Sequence, residues 1–94
     1  MSERTAPSIA RLDVLLPLLR ALPASSDQQG LVEDADALRR SIAAFHMEAI
    51  RFRMHRVDRA LRRVGDDPAC RRAFDELRET LEAAGFHTGS HSAP

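Results

Sequence analysis

The stretch LVEDADALRRSIAAFHMEAIRFRMHRVDRALRRV, residues 31–64, decides how this chain is read. It holds neither glycine nor proline, and the nearest glycines, Gly30 and Gly65, stand just outside it. Those two residue types disfavour a helix interior most strongly. The stretch therefore predicts one uninterrupted helix of roughly 51 Å, at 1.5 Å per residue. A compact chain of 94 residues has a radius of gyration of about 12 Å, hence a diameter of roughly 32 Å. So long a helix predicts a rod, not a globule.

Working outward, the helix carries two apolar seams. Leu31, Ala35, Leu38, Ile42, Phe45, Ala49 and Phe52 recur at spacings of four and three. So do Met47, Ile50, Met54, Val57, Leu61 and Val64, on a line rotated by roughly 100° from the first. Each half of the helix thus predicts a different neighbour. Before it, Ser8 is placed as the N-cap of a short helix with Ile9, Leu12, Leu15, Leu16, Leu19 and Leu22 on one face. Pro17 is expected to kink or split that helix and Pro23 to end it. Ser26 followed by Gln29 has capping-box spacing, so the loop after Pro23 is expected to turn helical before residue 31. After it, Gly65-Asp66-Asp67-Pro68 reads as a stop and restart: Gly65 at C′, Asp67 at N-cap, Pro68 at N1. A third helix follows from about Pro68 to Ala84, with Cys70, Ala73, Phe74, Leu77, Leu81 and Ala84 as its stripe. Gly85 ends it, and Phe86 is expected to fold back after the cap.

The expected fold is all-α: a short kinked helix, a long central helix and a third helix. Residues 1–7 are assigned to a flexible N-terminus, 8–86 to the three-helix domain and 87–94 to a disordered tail. A rod two helices thick leaves apolar surface open, so a homodimeric bundle with antiparallel long helices is expected. Ile42, Phe45, Ala49, Ile50 and Phe52 are its expected interface.

The formal net charge is zero, with 14 basic and 14 acidic residues. That balance removes any chain-wide case for nucleic acid or an anionic membrane. Every basic residue is arginine. One cysteine, Cys70, cannot make an internal disulfide, which points to a reducing compartment and a cytoplasmic protein. The longest uncharged piece of the first apolar run, residues 14–19, is far shorter than the roughly 20 residues a membrane span needs.

His46, Arg53 and Arg56 are the residues out of place, because they project into the same arc as Ile42, Ala49, Val57 and Ala60. The simpler reading pairs them with carboxylates of the third helix (Glu76, Glu79, Glu82) or of a second subunit. The sharper one makes them an anion pocket at the dimer centre, with two guanidinium forks and an imidazole. The segment 51–72, opening on Arg51 and closing on Arg72, holds eight arginines against three acids. Alone it resembles a nucleic-acid stripe, but Arg51, Arg59 and Arg62 are expected to point away from Arg53 and Arg56. A solvated, ion-paired surface is the preferred reading there. Cys70 lies where a helix dipole would activate a thiol, yet it is in phase with Phe74, Leu77 and Leu81 and so reads as core. No metal or cofactor motif is present: His46 and His55 fall on opposite faces, and His87 and His91 lie in the tail.

In size, helix count and arginine content the chain resembles the all-helical chorismate mutases, small intertwined dimers with arginines around a dicarboxylate substrate. That family places its long helix first and uses a pocket lysine. Here a short helix comes first and lysine is absent, so no pocket residue carries over. The function expected from the sequence is a non-enzymatic interaction or regulatory protein with a protein partner. Anionic-ligand binding at His46, Arg53 and Arg56, or nucleic-acid binding through residues 51–72, are the alternatives.

Overall fold

A computed structural model describes residues 3–88. Four helices follow one another: α1 (Ala6–Arg20), α2 (Ser26–Ala43), α3 (Met47–Arg63) and α4 (Pro68–Ala83). The all-α expectation holds, and the described residues contain no strand. The single long helix does not hold. It is broken at Ala44-Phe45-His46, and its halves fold back on each other as the hairpin α2–α3.

The break is built as a Schellman motif. Ala44 is the C-cap of α2, the Phe45 amide donates to the Ile42 carbonyl (3.0 Å), and the His46 amide donates to the Ser41 carbonyl (3.1 Å). Phe45 occupies the C′ position at φ +59°, in the left-handed region where glycine is the usual occupant. His46 then caps α3, its Nδ1 accepting from the Ala49 amide at 3.2 Å. The same motif ends α3 and α4 around Gly65 (φ +106°) and Gly85 (φ +95°), where the sequence announces it. Phe86 does fold back, and it is 1% exposed.

The helices alternate in direction. α1 packs on α2 and α4, and α2 on α3, while α3 and α4 meet over a smaller part of their lengths. Each contact carries an ion pair: Arg39–Asp13 (2.8 Å) for α1–α2, Arg11–Glu76 (3.3 Å) for α1–α4, Arg56–Asp34 (3.1 Å) for α2–α3 and Arg71–Asp58 (2.7 Å) for α3–α4. The radius of gyration is 12.3 Å, the value of a compact globule of this length, so the rod is corrected as well.

Each seam serves its own helix. Leu31, Ala35, Leu38 and Ile42 of α2 meet Ile50, Met54, Val57 and Leu61 of α3 in one core with Leu12, Leu15 and Leu19 of α1 and Phe74, Leu77 and Leu81 of α4. α1 runs unbroken through Pro17 and starts at Ala6, with Thr5 rather than Ser8 at its N-cap. Pro7 occupies its first turn, and Ser8 is buried within it. The segment assigned to a flexible N-terminus is thus partly built in. Arg4 Nε donates to the Ala84 carbonyl at 2.7 Å, and its guanidinium lies 5.3 and 5.4 Å from the ring centroids of Phe45 and Phe86. α2 begins at Ser26 behind Ser25, whose Oγ accepts from the Gln28 amide; Gly30 lies inside the helix. In the tail, Thr88 is buried and its Oγ1 donates to Glu82. The rest of the tail, His91 included, lies outside the described residues.

Candidate functional site

The residues singled out from sequence separate. Arg53 and Arg56 converge on Asp34 of α2: Arg56 Nε is 3.1 Å and Arg53 Nη1 3.8 Å from its Oδ1. Their carboxylate partner is therefore on α2, not among Glu76, Glu79 and Glu82. His46 does not join them; it is the exposed cap at the hairpin tip. Of the residues expected at a dimer interface, Ile42 and Ile50 are enclosed by the monomer's own core at 0% and 1% exposure. Ala49 is half-buried, and Phe45 and Phe52 are exposed.

What the fold does assemble is a stripe along the outer side of α3. Phe52, Arg56, Arg59 and Arg63 recur at four, three and four residues, which stacks them on one helical face. With His55 and Asp34 they line an open groove of about 300 Å³. A second hollow of about 170 Å³ shares Arg63 and continues past Leu22, Pro23, Ser25 and Val64 at the start of α2. Phe52 is 54% exposed, and the guanidinium carbons of Arg53 and Arg56 lie 5.4 and 5.8 Å from its ring centroid. The expectation of no single basic face is thus corrected. Arg59 shares a face with Arg56 because three residues of helix return nearly to the same side.

Charge is segregated although the chain is neutral. α3 carries six arginines against Glu48 and Asp58, while α2 carries Asp27, Glu33, Asp34 and Asp36 against Arg39 and Arg40. Most arginines are tied to the fold: Arg11, Arg20, Arg39, Arg53, Arg56, Arg62, Arg71 and Arg78 each meet an acid within 4 Å. Among the described residues, Arg40, Arg51, Arg59, Arg63 and Arg72 meet none. Only Arg59 and Arg63 of these share the groove.

Other chemistry is poorly supplied. The Cys70 thiol is buried at the start of α4, and burial, then the hydrogen bond and charge of Asp67, push its pKa up to about 11. It is a core residue, not a nucleophile. No cluster of three metal-ligating side chains occurs among the described residues, and none of the described helices is long and apolar enough to cross a membrane. No protein-family model, curated protein or solved structure matches this chain.

Proposed function

We propose that this chain is a small non-enzymatic interaction protein of the cytoplasm that takes an acidic segment of a protein partner along α3. The observation that carries the reading is the groove in which, among the described residues, Arg59 and Arg63 meet no carboxylate within 4 Å and Phe52 is exposed beside them. Aromatic and arginine side chains are the usual anchors of protein interfaces. Apolar surface lies at both ends of the groove, Phe52 at one and Leu22, Pro23 and Val64 at the other. The distance along α3 from residue 52 to residue 64 is roughly 18 Å. An amphipathic helix of about three turns, acidic between two apolar residues, fits that length and sequence of contacts. The acidic flank of α2 narrows the positive strip to one helix width, which suits a peptide better than a duplex.

The test is a titration of the protein with a synthetic helical peptide carrying glutamates at i, i+3 and i+7 between two leucines. A single-stranded oligonucleotide of matched charge serves as comparison. The expected result is saturable binding to the peptide, weakened roughly tenfold or more by Phe52→Ala and by Arg59→Ala with Arg63→Ala. Tighter, steeply salt-dependent binding of the oligonucleotide would replace this reading with nucleic-acid recognition. Binding to neither would refute both.

A further inference from the structure

We infer that this chain exchanges halves with a second copy of itself, the turn Ala44-Phe45-His46 straightening so that α2 and α3 become one continuous helix. Three turns join the four helices. The first contains Pro23, and the third contains Gly65 and opens α4 on Pro68, so neither can be absorbed into a helix. The middle turn contains no breaker, and none occurs anywhere from residue 31 to residue 64. Its only departures from helix geometry are Phe45 at φ +59° and the extended His46 cap. An aromatic residue is out of its preferred region there, whereas Gly65 and Gly85 hold the equivalent positions of the other two Schellman motifs without strain.

Exchange keeps nearly every native contact. The α1–α2 and α3–α4 pairs stay within one copy, and the α2–α3 and α1–α4 contacts re-form between copies. The opened hinge loses the His46 cap, the contact of the Arg4 guanidinium with the Phe45 ring, and the edge contact of Phe45 with Phe86, whose ring centroids are 5.1 Å apart. It gains regular helix for three residues and releases Phe45 from positive φ. The joined helix, from Ser26 to Arg63, would be about 57 Å long. Two such helices would run antiparallel and cross at the hinge. Short turns under strain are where such exchange arises, and mass action makes the dimer the concentrated form.

The experiment holds the protein at millimolar concentration in mild denaturant, dilutes it into buffer and separates species by size exclusion with light scattering. Wild type is expected to yield a dimer that persists after dilution, because reversal requires opening the fold. Phe45→Ala and Phe45→Gly both delete the ring and differ only in backbone preference. The alanine variant should favour the dimer over the glycine variant on the order of a hundredfold in association constant. Independently of those variants, spin labels at residues 29 and 59, in a chain with Cys70→Ser and an excess of unlabelled copies, read the hinge directly. The separation should be short in the monomer and about 45 Å in the dimer. A monomer under all conditions, a dimer that keeps the short separation, or equal dimerisation of the two variants would each overturn the inference.

Discussion

Replacing Arg71 by alanine removes the tie between α3 and α4, the least extensively packed of the helix pairs in contact. Arg71 Nη1 lies 2.7 Å from Asp58 and Nε 2.7 Å from Asp66, with the side chain one-fifth exposed and Asp58 18% exposed. A hydrogen bond to a charged partner contributes about 1.5–3 kcal/mol. Two such bonds at a partly solvated site, discounted for screening, give about 2–3 kcal/mol. The truncation also leaves the half-buried Asp58 carboxylate with only Arg62, at 3.4 Å. A domain of this length has about 5–14 kcal/mol of stability in total, so Tm should fall by roughly 10–20 °C. With no Trp or Tyr, far-ultraviolet circular dichroism is the suitable probe. The effect has a sign in pH. Burial disfavours the charged Asp58, but the hydrogen bond and charge of Arg71, with Arg62 and Arg78, outweigh it and hold the carboxyl below its ordinary value. A depressed carboxyl contributes stability above its unfolded pKa, near 4, and loses it as pH falls through the folded value. The gap between wild type and Arg71→Ala should therefore be full at pH 6 and shrink below about pH 4. A gap under about 0.5 kcal/mol at pH 6, or one that widens in acid, would refute the argument.

Gly65→Ala should lower stability by about 1 kcal/mol or more, because φ +106° suits glycine alone and nothing stands within 4 Å of the added methyl to compensate. Denaturant midpoints would show it, and no change would mean that the turn relaxes. Cys70 should react with a thiol reagent at neutral pH only as fast as the protein opens, since it is 1% exposed and its pKa lies near 11. Fast labelling of the folded protein would contradict that placement.

Most of the fold was legible because most of its punctuation is written in glycine, proline and aspartate. α4 starts at Pro68 behind Asp67, whose carboxylate accepts from the Cys70 amide, and stops before Gly85 as those residue types dictate. The break after α2 was not legible from residue types, since the position that terminates it holds Phe45. Its trace lay in the phase of the apolar residues. The first seam keeps its burial to Ile42, and its continuation at Phe45 and Phe52 is exposed. The second seam is buried from Ile50 to Leu61, with Val64 half-buried. A continuous helix would have to bury two different faces, whereas a turn lets both halves face one core. The ion pairs failed for a related reason. With α3 folded back on α2, Asp34 stands beside Arg53 and Arg56, while on α4 Glu76 meets Arg11, Asp75 meets Arg71 and Arg78, and Glu82 accepts from Thr88.

The packing of α3 against α2 produces the candidate surface. Folding α3 back onto α2 uses the face of Ile50, Met54, Val57 and Leu61 for the core and turns Phe52, Arg56, Arg59 and Arg63 outward together. Asp34 pairs with Arg53 and Arg56, and Arg59 and Arg63 are left with no carboxylate within 4 Å among the described residues. Straightening the hinge would not erase this surface, because α2 of one copy would lie against α3 of the other as it now does within one chain. An exchanged dimer would therefore carry two such grooves, one on each α2–α3 pair. Binding measured per chain should then be equal in monomer and dimer, while a partner bearing two acidic segments should prefer the dimer by avidity.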